Sequence, residues 1–345
     1  DRILEQMAFI PKIKDGKLGK QKGILLDGGI SSWGVQYGDQ TFKDHKCRVQ
    51  NCNILQMNGD KSEVDAVLFG QMLPNMEYYL QTYRKPHIVW LFFALESPMA
   101  TLDYSSFKDY INWTATYRSD STIVAPYEKW VYHFNESVSN TKELSRNYAT
   151  GKSKMAAIFV SNCAGNNERL YYVYDLQKNI SVDIYGFCGP HKCPRNSDKC
   201  SKKLNKDYKF YLAFENANCK DYITEKFFVN ALQHDVIPIV MGARREEYEK
   251  LAPRNSFIHV EDFKSAEELA IYLQKLDQND DLYNEYFKWK GTGSFLNTKF
   301  WCRLCAMLND DKKPTLSVNL EEWWRAPDTC TRSRWDKLIK QKNSE

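Results

Sequence analysis

The sequence predicts an α/β protein made of two Rossmann-like domains facing a cleft, with an irregular C-terminal tail. Two observations carry that expectation. From position 155 to 277, short apolar runs alternate with helical patterns of about 10–15 residues, which implies crossover units and a parallel sheet. The first 150 residues repeat the alternation more loosely, and the polar stretch Asn135–Lys154 lies between the halves as the expected linker. The expected divisions are 1–148, 149–300 and a tail over 301–345 that packs back on the first domain. At 345 residues, each half is large enough to bury its own core.

In the first half, Ile24–Leu26, Ala66–Phe69 and Ile88–Phe93 read as strands. A helix over 74–84 ends before Pro86, whose ring forbids continuation. In the second half, Met155–Val160 is an apolar run that leaves its sheet at Ser161-Asn162. Residues 166–178 place Leu170, Val173 and Tyr174 on one helical face, and strands follow at Val182–Phe187 and Tyr208–Phe214. Between those strands, Cys188–Lys206 reads as a stapled loop with three Cys and two Pro. Asp221 is placed to cap the next helix, whose stripe is Phe227, Phe228, Ala231 and Leu232. Strand 236–240, helix 244–252, strand 256–260 and helix 265–277 complete the series. The last thirty-five residues hold Trp323, Trp324 and Trp335 but little periodicity.

A net charge of +4, with Lys and Asp/Glu interspersed and no basic block, argues against nucleic acid as a partner. The longest apolar run, Ile88–Leu95, is far short of a membrane span. No charged-then-apolar leader follows Asp1-Arg2-Ile3, which fits either a soluble protein or one whose anchor or signal has been removed. Ten Cys is an even number. Cys302-Arg-Leu-Cys305 has zinc-ligand spacing, yet no second close pair shares it, and disulfides are the simpler account. Sequons at Asn112, Asn135 and Asn179 point the same way, to the secretory pathway.

The strongest local pattern is Phe214-Glu215-Asn216-Ala-Asn-Cys-Lys-Asp221-Tyr222-Ile-Thr-Glu225-Lys226, which leaves a strand and opens a helix. Ligands bind at such places in open parallel sheets, and free backbone N–H groups favour a diphosphate there. Lys226 could neutralise its charge and Glu225 could accept from ribose hydroxyls. An ordinary exposed first turn fits the same residues equally well. Arg169 offers a second, bidentate cation near that edge, or a solvated helix charge. Glu96, after the apolar strand and before Ser97-Pro98, suits a general base if burial raises its pKa, or a surface turn if it does not. No Asp-x-Asp occurs, so a sugar-nucleotide transferase of this sequence must stabilise its leaving group with cations and a helix end rather than a carboxylate-held metal.

These residues resemble the α1,3-fucosyltransferase family. The run from Phe214 to Lys226 is similar to its donor signature, as are Ala94-Leu-Glu96-Ser-Pro98, Thr116-Tyr-Arg118-Ser-Asp120-Ser, and Val160-Ser161-Asn162 leading to Arg169. The resemblance runs from about Cys47 to Trp324 in family order. It implies the two-domain GT-B fold, an inverting enzyme using GDP-fucose as donor, and a Golgi type II membrane protein anchored through a removed N-terminal segment. It makes 1–148 the acceptor side and 149–300 the GDP-fucose domain. Glu96 would be the base, Arg169 and Lys226 would hold the pyrophosphate, and Glu225 the ribose and fucose region. Tyr222 would take the guanine side, with Ser161, Asn162, Gly186 and Asn216 lining the pocket. No tightly bound cofactor is implied, and a divalent metal is at most stimulatory.

Lewis-type members carry a His-His element after the strand at Ala66–Phe69, where this chain reads Gly70-Gln-Met-Leu-Pro74. Cys188-Gly-Pro190, Gly291-Thr-Gly293, Cys302-Arg-Leu-Cys305 and Glu322-Trp-Trp-Arg325 with Cys330 resemble invertebrate members that fucosylate the proximal GlcNAc of N-glycans. An N-glycan of a glycoprotein is therefore the expected acceptor, with an antennary GlcNAc or a turnover-dead GDP-sugar binder as alternatives. The resemblance also implies that Cys302 and Cys305 bond to Cys47 and Cys52, tying the two halves together.

Overall fold

Nearly unbroken apolar runs suit strands covered on both faces, and crossover helices supply that cover. The computed structural model describes residues 2–12, 19–30, 33–72, 74–133, 143, 145–194, 198–311 and 317–335. It divides into two compact units, Asp1–Pro126 with Thr298–Thr329, and Tyr127–Asn297 with Cys330–Glu345. Among the described residues no helix is long and apolar enough to cross a membrane.

The first unit holds β1 (Lys22–Leu26), β2 (Cys52–Leu55), β3 (Val64–Phe69), β4 (Val89–Ala94), β5 (Trp113–Thr116) and β6 (Ile123–Val124). They form one parallel sheet in the order β2-β1-β3-β4-β5-β6. Sequence reading finds β1, β3, β4 and the helix Met76–Tyr83, and misses β2, β5 and β6. The cause is visible in β5, where Thr114 and Thr116 dilute the apolar signal although both are buried. Their hydroxyls are satisfied inside the sheet, Thr114 Oγ1 accepting from Thr122 N at 3.0 Å and Thr116 Oγ1 lying 2.7 Å from Ser121 Oγ.

The helix Phe300–Leu308 packs Leu304, Cys305 and Leu308 against Ile24, Ala66 and Trp113. Cys47–Cys302 and Cys52–Cys305 are disulfides. Both lie within the first unit, Cys52–Cys305 joining this helix to β2 and Cys47–Cys302 joining it to the segment before β2, instead of tying two halves together.

The second unit contains β7 (Trp130–Tyr132), β8 (Lys154–Phe159), β9 (Val182–Tyr185), β10 (Tyr208–Phe214), β11 (Asn218–Cys219), β12 (Ile237–Met241), β13 (Ile258–His259), β14 (Gly293–Phe295) and β15 (Cys330–Thr331). Five of them form a parallel sheet, β13-β12-β10-β8-β9, with β10 buried along its whole length. The helices Arg169–Gln177 and Ala266–Asp277 cover one face, putting Val173, Leu176, Leu269 and Leu273 into its core.

The polar stretch expected as a linker falls inside this unit. Residues 135–142 and 144 of it lie outside the described residues, but Tyr148 stacks on Phe287 with ring centroids 4.3 Å apart. Its described residues thus pack within the second unit. The expected loop Cys188–Lys206 contains a helix, Asp198–Asp207, and is stapled by Cys163–Cys188 and Cys193–Cys200. The tail is split between the units. The helix Leu320–Trp324 belongs to the first, while β15 pairs with β11 in the second and is bonded there through Cys219–Cys330. Of the sequons, Asn179 is exposed, Asn112 Oδ1 accepts from Trp90 N at 2.9 Å, and Asn135 lies outside the described residues.

Candidate functional site

In a parallel sheet, the loops after the strand C-termini collect helix N-termini and free N–H groups, and ligands bind there. All the predicted donor-site residues lie on that edge of the second sheet. Ser161 and Asn162 follow β8, Gly186 follows β9, Asn216 follows β10, and Tyr222, Glu225 and Lys226 lead into the next helix. Glu96 sits on the corresponding edge of the first sheet, two residues past β4, and is half-buried.

The loops after β8 and β9 approach so closely that only glycine fits at position 186. Its φ is +104°, and a Cβ there would lie 2.4 Å from Val160 O and 3.2 Å from Ser161 Oγ. The Cys163–Cys188 disulfide holds the same two loops together. Ser161 and Asn162 remain exposed.

Arg169 opens its helix and sends its side chain back to the sheet edge, 3% exposed. Its terminal nitrogens donate to Phe214 O at 2.8 Å and Asn162 O at 2.9 Å, joining the loop after β8 to the end of β10. Burial lowers its pKa, against the raising charge of Glu215. Among the described residues, Arg169 Nε and Asn216 Oδ1 are buried without a hydrogen-bond partner. A Cβ at Gly165 would lie 3.3 Å from Arg169 Nε and 3.4 Å from the backbone O of Asn216. Each of the two buried side-chain atoms retains a hydrogen-bonding valence that a ligand at this edge could fill.

The helix begins three residues later than expected. Asp221 is not its cap: it takes a left-handed φ of 59°, and Thr224 is the N-cap. An extended Thr224 can accept from Lys226 N, whereas a left-handed Asp221 turns the chain instead of starting a helix. After one turn the helix widens into a π turn over Phe228–Leu232, burying Phe228, Ala231 and Leu232.

Glu215, the first residue after β10, is the hub of this corner and has no exposure. It accepts from Thr224 N at 2.9 Å, Thr224 Oγ1 at 2.9 Å and Lys226 Nζ at 3.0 Å. Lys226 Nζ also reaches Thr224 Oγ1 at 3.0 Å and Glu225 Oε1 at 3.3 Å. Burial acts to lower the Lys226 pKa, but the charges of Glu215 and Glu225 outweigh it and hold the ammonium above its ordinary value. Glu225 is exposed and can reach a ligand, whereas Tyr222, 1% exposed, has its ring enclosed by protein.

Two further residues brace the corner. Glu247, 4% exposed, accepts from Asp221 N at 3.0 Å and Arg244 N at 2.8 Å. Burial and then the Asp221 charge push its carboxyl up to about 7. Trp335 donates through Nε1 to Gly242 O at 2.9 Å and covers the Arg244 guanidinium at 4.4 Å. Sequence reading assigned no role to Glu215, Thr224, Glu247 or Trp335. The signal for Glu215 was present, since a carboxylate following a mostly apolar strand is the argument that singled out Glu96. Glu247 and Trp335 gave none, because Asp221 and Gly242, which tie them to this corner, are distant from them in sequence.

Residues 27–128 match the fucosyltransferase N-terminal family, and residues 149–323 the C-terminal region of glycosyltransferase family 10 (fucosyltransferase). The chain is 49% identical to glycoprotein 3-alpha-L-fucosyltransferase A of Drosophila melanogaster, over 97% of this chain and 67% of that protein. It is 34% identical to alpha-(1,3)-fucosyltransferase fut-1 of Caenorhabditis elegans, over 90% and 70% respectively. Among solved structures, an alpha1,3-fucosyltransferase crystallised with GDP-fucose matches with a TM-score of 0.54 and 17% identity, covering 92% of this chain and 98% of that one. That likeness shows a shared GT-B fold.

Proposed function

We propose, since the chain belongs to the glycosyltransferase family 10 fucosyltransferases, that it transfers L-fucose from GDP-fucose to O3 of the proximal GlcNAc of N-glycans. The observation that carries this reading is the corner at Thr224–Lys226, where a lysine kept charged by a buried carboxylate stands at a helix opening on the ligand edge. Such a place suits a diphosphate leaving group.

The reaction is a direct displacement with inversion. Glu96 takes the proton of the acceptor hydroxyl, and the oxygen attacks the anomeric carbon of the β-linked donor. The bond from that carbon to the phosphate oxygen breaks, and GDP leaves with the electron pair, giving an α-fucoside. Lys226 and Arg169 meet the negative charge that develops on the diphosphate, while Glu225, Asn216, Ser161, Asn162 and Gly186 shape the rest of the donor pocket. Tyr222 serves from behind as packing. Cationic side chains do the work of a metal here, so activity persists in EDTA, with a divalent ion at most stimulatory.

The core acceptor is supported by the identity to the glycoprotein-directed fly enzyme and by Gly70–Pro74, which lacks the Lewis-type His-His pair. The protein works in the Golgi lumen in a membrane-anchored form. All ten cysteines are paired, as an oxidising compartment allows. Incubation with GDP-fucose and a short N-glycan core lacking antennae tests the reading. Transfer to that core is expected, and transfer to an antennary acceptor alone would replace it with the Lewis-type assignment.

A further inference from the structure

The helix Leu320–Trp324 carries two adjacent tryptophans with different surroundings. Trp324 is fully buried against Phe92 and Tyr117, and its Nε1 donates to Thr101 Oγ1 at 2.9 Å. Arg325 donates to Thr101 O at 3.0 Å, and Glu321 accepts from Tyr104 N at 2.8 Å. The helix is thus fastened across the segment that follows Glu96, and Trp324 accounts for its anchoring.

Trp323 is only half-buried. Its ring lies on the Arg118 guanidinium, 4.1 Å from the centroid. Arg118 is itself 3% exposed, gripped by both oxygens of Asp120 at 2.9 and 2.7 Å, and donates to Trp323 O at 2.6 Å. Strands β4 and β5 end in register, Ala94 beside Thr116, so Glu96 and Arg118 each lie two residues past neighbouring strand ends. A large ring is therefore held rigidly, at partial exposure, on the sheet edge that bears Glu96. A rigid aromatic surface beside polar groups is what the C–H face of a pyranose packs on, and rigidity lowers the ordering cost of binding.

We propose that Trp323 is the stacking platform of the acceptor subsite, receiving the GlcNAc ring whose hydroxyl Glu96 deprotonates, and that Arg118 positions it. The inference rests on the functional reading above. Trp323→Ala raises the acceptor KM about ten-fold, the scale of a lost aromatic contact. The KM for GDP-fucose stays as in the parent, and Trp323→Phe restores most of the loss. An unchanged acceptor KM in an active Trp323→Ala protein, or an equal rise in donor KM, overturns it. Should the alanine variant not fold, 19F spectra of the full chain labelled with 5-fluorotryptophan, assigned by Trp323→Phe, give a second readout. Addition of chitobiose in the presence of GDP shifts the Trp323 signal, and a static signal overturns the proposal. A parent enzyme that transfers fucose to no N-glycan acceptor defeats the functional reading itself, a different outcome from an active parent indifferent to Trp323.

Discussion

Lys226 brings its charge to the donor edge because Glu215, with no exposure of its own, lies 3.0 Å from the ammonium. Lys226→Ala is expected to weaken GDP binding by roughly ten- to a hundred-fold, the range of a hydrogen bond to a charged group, as read by calorimetry. Unaltered affinity would remove Lys226 from the phosphate site. Glu96→Gln should reduce kcat by about two to four orders of magnitude while GDP affinity stays constant. Weakened GDP binding in that variant would make Glu96 a donor-side residue. Glu247 gives a pH signature. Its carboxyl is raised to about 7 in the fold, so the folded state holds the proton more tightly than the unfolded chain, and stability falls as pH rises from about 4.5 to 7. Glu247→Gln should flatten that fall in denaturant midpoints, and an identical slope in both proteins would refute the assignment. Glu96 could be singled out in the sequence because it follows an apolar run, Arg169 because it lies on the helix after the Ser161-Asn162 turn, and Gly186 only through the family resemblance. Glu247 could not be, because its raised pKa arises from burial beside Asp221, 26 positions away.

The donor helix shows why an element can be read correctly and its start missed. Phe227, Phe228, Ala231 and Leu232 give the apolar stripe, and all four are buried. Both Asp221 and Thr224 are good capping types, and periodicity cannot choose between them. The choice falls to Thr224 because Glu215 accepts from its N–H and hydroxyl together. Thr224→Ala should therefore cost about 1–2 kcal/mol of stability and weaken GDP binding with it, while Thr224→Ser stays near the parent. A Thr224→Ala protein with parental melting and GDP affinity would show that the cap is dispensable.

For the whole chain, the disulfides Cys47–Cys302 and Cys52–Cys305 span separations of 255 and 253 residues and fasten a late helix to β2 and the segment before it. Replacing one such pair by serines should lower stability by about 2–5 kcal/mol, measured by denaturant unfolding under oxidising conditions. Reductant should then affect that variant less than the parent, and equal midpoints in all four samples would mean that these bonds carry no stability. The same covalent links explain why a contiguous division of the chain misses the observed units. The chain leaves the first unit at Pro126 and returns for Thr298–Thr329.

Local alternation of apolar and polar residues was enough to determine the parallel α/β class, the strands β8, β9, β10, β12 and β13, and the sheet edge on which Arg169 and the run to Lys226 lie. Each of those follows from neighbours in sequence, where side-chain period and chain-end chemistry act. Tertiary structure alone decided the hydroxyl-bearing strand β5, the division of the helix Leu320–Trp324 and β15 between the units, the enclosure of Tyr222, the contacts of Glu215 and Glu247, and the seating of Trp323 on Arg118. Those depend on what a side chain meets across the fold, and burial and partner charge are properties of that meeting, not of the local chain.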